Sequence, residues 1–118
     1  MYATMTSIKS LRWLLCLIML AAAQVRAELP AEAVWIDVRT PAEFAQGHIE
    51  QATLIPFDGI EAGIAKLQLP KDTPIYLYCA VGGRAETAKQ RLEALDYSAV
   101  TNVGGLQDAR QLIAADAP

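Results

Sequence analysis

Two hydrophobic periodicities share this chain, one suited to strands and one to helices. An unbroken apolar run from Trp13 to Ala23 comes first, preceded by Lys9 and Arg12 and followed by Val25-Arg26-Ala27. Past it, Val34-Trp35-Ile36-Asp37-Val38 is short, β-branched and largely apolar, which predicts a buried strand. Thr40 then stands before Pro41, with Glu43 three residues after it. This is the signature of a capped helix start with proline at the first helical position. The helix should run through Gln46 and stop at Gly47. Residues Ala52 to Ile55 predict a second strand, and Ile60, Ile64 and Leu67 share one face of a helix from Ile60 to Leu67. Pro70 and Pro74 bracket a loop ahead of Ile75-Tyr76-Leu77-Tyr78, the most strand-like run in the chain. Cys79 ends that strand. Between Arg84 and Leu95 the residues Ala85, Ala88, Leu92 and Leu95 recur at helical spacing, with Glu86, Lys89, Arg91 and Glu93 on the outer face. A strand from Ala99 to Val103, a turn at Gly104-Gly105 and a helix from Leu106 to Ala115 complete the series. Alternating strands and helices imply an α/β fold with a mostly parallel sheet. Ligands of such sheets bind at the carboxyl ends of the strands, where Cys79 lies.

The opening segment changes the picture of what remains. Basic residues, an apolar run of eleven residues and small residues at Val25 and Ala27 form the three-part layout of a secretory signal peptide. A helix crossing a bilayer needs roughly 20 apolar residues, so cleavage after Ala27 is expected rather than a lasting membrane anchor. Residues 1–27 are thus read as signal peptide and residues 28–118 as one domain, exported to a bacterial periplasm. The remaining 91 residues suffice for one core and not for two. Removal of Lys9, Arg12 and Arg26 leaves seven basic against thirteen acidic residues, a net charge of −6. Such a surface repels nucleic acid and acidic membranes. An anionic substrate must therefore be held by a local positive site. Cleavage also removes Cys16 and leaves Cys79 as the only cysteine, which excludes an internal disulfide and a two-cysteine redox mechanism. One cysteine and one histidine, His48, cannot complete a tetrahedral metal site, and no cofactor is implied. A buried inert thiol, an intermolecular link and a nucleophile remain as roles for Cys79.

The segment Cys79-Ala80-Val81-Gly82-Gly83-Arg84 favours the nucleophile. It runs from a strand end to a helix start, and its two glycines can take backbone angles closed to other residues. Successive amides can then point inward as an anion cradle. The helix start adds unpaired N–H groups and its dipole, and Arg84 adds a fixed positive charge. A thiol in that field is stabilised as thiolate. Read blandly, Cys79 is a small core residue and Gly82 and Gly83 are turn glycines. A turn alone does not account for arginine at a helix start, where the dipole disfavours positive charge unless an anion is bound.

Together with what precedes it, this loop resembles the rhodanese family of sulfurtransferases in its single-domain form. The matching blocks are Asp37-Val38-Arg39, Glu43-Phe44, Gly47-His48-Ile49 with Ala52 and Ile55-Pro56, then Cys79 to Arg84, and finally Val103-Gly104-Gly105-Leu106. The resemblance implies a small rhodanese-like domain, with a mostly parallel five-stranded sheet flanked by helices and a cysteine that becomes a persulfide. It also implies that Cys79 attacks thiosulfate, a small anionic sulfur donor, and passes the sulfur to cyanide or a thiol acceptor. Ala80, Val81, Gly82, Gly83 and Arg84 would cradle the persulfide, with Arg84 binding the sulfonate end. A monomer is expected. Four residues separate Cys79 from Arg84, the spacing of sulfurtransferases, whereas phosphatases built on the same logic place five there. Two features depart from the family: Ala109 replaces a tryptophan common in relatives, and Ala80 and Val81 leave Arg84 as the only charge in the loop.

Asp37 and Arg39 are read as residues that order the loops around the site. His48 is read as a turn histidine satisfying backbone groups, and Trp35, Tyr76 and Tyr78 as packing residues. An anion-loop phosphatase and a binding module without turnover are the competing functions. Binding modules of this kind commonly lose the cysteine or the arginine, and this chain has both.

Overall fold

The computed structural model of the chain describes residues 29–117; the expected signal segment lies outside the described residues. Four strands, β1 (Val34–Asp37), β2 (Thr53–Leu54), β3 (Ile75–Cys79) and β4 (Val100–Gly105), form one sheet in the order β2-β1-β3-β4. All three pairings are parallel. The α-helices are α1 (Pro41–Ala45), α2 (Ile60–Leu67), α3 (Gly83–Ala94) and α4 (Leu106–Asp116), with a 3₁₀ turn at Phe57–Gly59 leading into α2. The α/β class and its parallel sheet flanked by helices agree with the sequence reading.

Parallel strands need a crossover at every connection, so both faces of the sheet become covered. Alternation along β1 and β3 sorts side chains between those faces. Ile36, Val38, Ile75, Leu77 and Cys79 pack with Ile60 and Ile64 of α2 and Ala85, Ala88 and Leu92 of α3. On the other face Trp35 and Tyr78 pack with Ala109, and the partly buried Tyr76, Leu106, Leu112 and Ile113 close around them. The Trp35 and Tyr76 rings stack there with centroids 5.1 Å apart, in the packing role expected of them. Ala109 is fully buried on that face, so the missing tryptophan leaves no break in the layer.

Two expectations need correction. The resemblance implied five strands, and the described residues form four. The described residues ahead of β1, 29–33, form no further strand: Pro30 lacks an N–H, and the Ala33 N–H folds back onto the Pro30 carbonyl at 3.1 Å in a turn. Gly104 and Gly105 were expected to turn the chain after β4, and instead they end it. Leu77 pairs with Asn102 while Tyr78 pairs with Gly104, so Val103 is an extra residue in the ladder. Gly104 has φ +105°, a conformation that side-chain-bearing residues rarely adopt.

The strand order reverses between β1 and β3: the chain leaves β1 toward β2 on one side and later builds β3 and β4 on the other. A crevice therefore opens at the carboxyl ends of β1 and β3, which are Asp37 and Cys79.

Gly63 in the middle of α2 tests how tightly the first layer is packed. A Cβ there would collide with Cγ2 of the buried Ile55 and lie 3.3 Å from its Cβ and Cδ1. Alanine gains about 1 kcal/mol in helix propensity over glycine, whereas overpacking a core costs about 1–3 kcal/mol. Gly63→Ala should therefore lower stability, by up to about 2 kcal/mol, in urea denaturation. A stabilised variant would show that Ile55 can move aside.

Candidate active site

Cys79 sits at the carboxyl end of β3, between β1 and β4, with 1 % of its surface exposed. The chain then crosses over it. Gly82 takes φ +108° as the cap of α3 and brings its N–H to 2.9 Å from the Cys79 Sγ. The sulfur thus accepts a backbone hydrogen bond at the start of a twelve-residue helix, where N–H groups lack intrahelical partners. The helix begins at Gly83, one residue ahead of the expected Arg84.

The loop is clamped from two sides. The Gly82 carbonyl accepts from the Glu86 N–H of the first helical turn at 3.0 Å and from Asn102 Nδ2 at 3.0 Å. Asn102 Oδ1 in turn accepts from the Gly104 N–H at 2.9 Å, so one side chain ties the loop to the bulge of β4. Gly105 allows the other approach. A Cβ there would collide with the Ala80 carbonyl oxygen, which means the loop rests directly on the backbone of β4. Asp108 completes this corner by accepting the Gly105 N–H at 2.8 Å. Neither Asn102 nor Asp108 stood out in the sequence. The signal for Asn102 was a lone amide in a strand, a residue type depleted in strands and well placed to bond the backbone locally.

Arg84 occupies the helix start as expected, but its charge is not free. Nη1 donates to Glu43 Oε1 at 2.7 Å and Nη2 to Oε2 at 2.9 Å, a two-point pair with each side chain about one-third exposed (30 % and 33 %). The anion that accounts for arginine at the dipole's positive end is therefore the protein's own Glu43. Glu43 also closes the capping box of α1. It accepts the Thr40 N–H at 3.2 Å, and its own N–H donates to Thr40 Oγ1 at 3.2 Å. The loop residues beside the cysteine carry no charge, and Val81 is 90 % exposed.

Behind the crevice, Asp37 is fully buried and Arg39 nearly so. Arg39 Nη2 and Nε lie 2.7 Å and 3.1 Å from Asp37 Oδ2, and Nη2 also donates to the Gly47 carbonyl at 2.7 Å. The guanidinium lies 5.6 Å from the centre of the Tyr78 ring. Tyr78 Oη accepts the Ile49 N–H at 3.0 Å, and burial pushes the phenol up to about 12, so it stays a neutral hydroxyl. His48 lies 2.8 Å from the Phe44 carbonyl through Nδ1 and stacks on the Phe44 ring, a role in the turn. Among the described residues no cluster of His, Cys, Asp and Glu could hold a metal ion.

Comparison with known proteins places this geometry. Residues 21–111 match the family model described as the rhodanese-like domain. The chain is 36 % identical over 74 residues to the thiosulfate sulfurtransferase PspE of Escherichia coli K12, covering 63 % of this chain and 71 % of that one. It is 39 % identical over 70 residues to a sulfurtransferase of Allochromatium vinosum, covering 59 % of this chain and 64 % of the relative. A solved structure described as rhodanese with anions from E. coli superposes with a TM-score of 0.62 at 36 % identity, covering 64 % of this chain and 89 % of that chain.

The Glu43–Arg84 link has a testable acid limb. The Arg84 hydrogen bonds, followed by the Thr40 N–H, hold the Glu43 carboxyl down from 4.5 to about 2. A carboxyl depressed by folding stabilises the folded state above its unfolded value, and that contribution is lost as pH falls toward the folded value. The stability difference between the wild type and Glu43→Gln, from urea titrations, should be constant from about pH 7 to about pH 5 and shrink between pH 4.5 and about 2. A difference that stays flat through that window would remove the ion pair from the folded state.

Proposed function

We propose, since the chain belongs to the rhodanese-like domain family, that it is a sulfurtransferase working through a persulfide on Cys79. The observation that carries this reading is the Gly82 N–H aimed at the Cys79 Sγ from a helix start at the sheet's crevice. The relatives named as sulfurtransferases support it. Thiosulfate is the donor that the family resemblance implies, and the small loop with its backbone amides suits a small anionic donor.

In the first half-reaction the Cys79 thiolate attacks the outer sulfur of thiosulfate. An S–S bond forms at Cys79, the S–S bond of thiosulfate breaks, and its electron pair leaves with sulfite. The persulfide anion then lies among the amides of Ala80, Val81, Gly82, Gly83 and Arg84. In the second half-reaction cyanide or a thiolate attacks that outer sulfur. The new C–S or S–S bond forms as the persulfide bond breaks, and the pair returns to Cys79 as thiolate. The thiolate is the attacking form of Cys79 in the first half-reaction and the form restored by the second. The chain is read as exported, with residues 1–27 removed, and as working in the periplasm as a monomer of residues 28–118.

A phosphatase reading is disfavoured by the four-residue spacing and a binding-module reading by the presence of both Cys79 and Arg84. Intact mass of the purified protein, before and after thiosulfate and then after cyanide, tests the proposal and reads the processed N-terminus in the same spectrum. One added sulfur that cyanide removes is expected for the wild type and none for Cys79→Ser, whose hydroxyl is a poor nucleophile without a base. Turnover retained by Cys79→Ser would overturn the assignment.

A further inference from the structure

The sulfonate-binding role expected of Arg84 conflicts with where its guanidinium is. Both of its terminal nitrogens are already committed to one carboxylate, at 2.7 and 2.9 Å. That carboxylate is fixed from behind by Thr40, whose N–H and Oγ lie 3.2 and 3.0 Å from Oε1. Two-point pairs of this kind are geometrically specific and hold better than a single surface contact. A dianion arriving at Arg84 meets an anion already in place. The loop supplies no second cation, and the side chain at its crest is the exposed, apolar Val81. The nearest charged side chains clamping the loop and its β4 support, Glu86 on Asn102 and Asp108 on Gly105, are acidic as well.

We propose that Glu43 sets donor selectivity: by holding Arg84 in a two-point ion pair it disfavours doubly charged thiosulfate and favours an alkyl persulfide, R–S–S–H, whose reacting sulfur carries no charge, as the source of sulfur. This rests on the reading that Cys79 accepts sulfane sulfur. With the alkyl donor R–S–S–H, the Cys79 thiolate attacks the outer sulfur, the donor S–S bond breaks, and its electron pair leaves on R–S⁻. The proton stays on the new persulfide. The alkyl group then lies toward Ala80 and Val81, and no sulfonate has to be placed beside Glu43. Glu43 touches neither reacting sulfur and is a positioning residue that acts through Arg84. Its carboxyl stays ionised down to about pH 2, so the discrimination operates over the whole neutral range.

The test compares the wild type with Glu43→Gln, measuring the rate of Cys79 persulfide formation by quenched-flow mass spectrometry at increasing concentrations of thiosulfate or cysteine persulfide. Glutamine also closes a capping box, so α1 keeps its cap while the charge is lost. Glu43→Gln should raise the second-order rate constant with thiosulfate roughly tenfold, as expected for removing one negative charge a few ångströms from the donor. The gain should appear as a lower half-saturating concentration with the limiting rate unchanged. The rate constant with cysteine persulfide should stay within about twofold. Thr40→Val, which loses the cap and keeps the ion pair, should leave the donor ratio as in the wild type. Glu43→Ala is the second variant, read in the same way should Glu43→Gln fold poorly. A donor ratio unchanged in both Glu43 variants, or equal loss with both donors, would overturn the proposal and reduce Glu43 to a loop support. Failure of both donors to load sulfur onto Cys79 in every one of the proteins would instead overturn the sulfur-acceptor reading, and this inference with it.

Discussion

A buried carboxylate cannot stand alone, and much of the crevice follows from how Asp37 is satisfied. Removing a charge from water costs several kcal/mol, and only a close partner of opposite sign with well-formed hydrogen bonds offsets it. Asp37 obtains that partner two residues along its own chain, from Arg39. Arg39 has a hydrogen bond left over and gives it to the Gly47 carbonyl, which fixes the end of the segment containing α1. Within that segment Glu43 is set to meet Arg84, and Arg84 lies at the start of the helix that follows the cysteine loop. A chain of polar contacts thus runs from the end of β1 to the loop after β3, across the point where the strand order reverses. Among the described residues no buried side-chain nitrogen or oxygen lacks a partner.

Local chemistry made most of the elements legible in the sequence. The Thr40-Pro41-x-Glu43 start and the Ile60, Ile64, Leu67 spacing each carry their own signal within a few residues, and α1 and α2 appear where those signals place them. Cys79 was legible as a strand end because the β-branched and aromatic run before it is unambiguous. The Gly104-Gly105 pair misled for a physical reason. Two adjacent glycines suit a turn, but they suit equally a strand that must bulge and admit another backbone. Only the partner strand and the Ala80 carbonyl decide between these.

The strand end at Cys79 and the loop that passes from it into a helix were legible in the sequence, and the pairings around them were not. Cys79, Gly82 and Arg84 lie within one hexapeptide, and strand-loop-helix order was enough to aim the sulfur at the amide of Gly82. Glu43 was visible only as a capping residue, since its second task spans 41 positions of sequence. Side chains that answer to several partners at once, as Glu43 and Asn102 do, have contacts far apart in sequence that spacing cannot reveal. The loop's clamps and its charge balance therefore emerge only from the assembled sheet.

The depth of Cys79 bears on the company the protein keeps with itself. Cys79 is almost wholly buried, and the loop crosses over its sulfur. A disulfide requires two Cβ atoms within about 4 Å of one another, so two copies could be cross-linked only if both loops were pushed aside together. A slender reagent faces one such obstacle and a twin molecule faces two. Recession of the thiol thus acts as a size filter, setting one loop in the way of a small molecule and two in the way of a second copy of the chain.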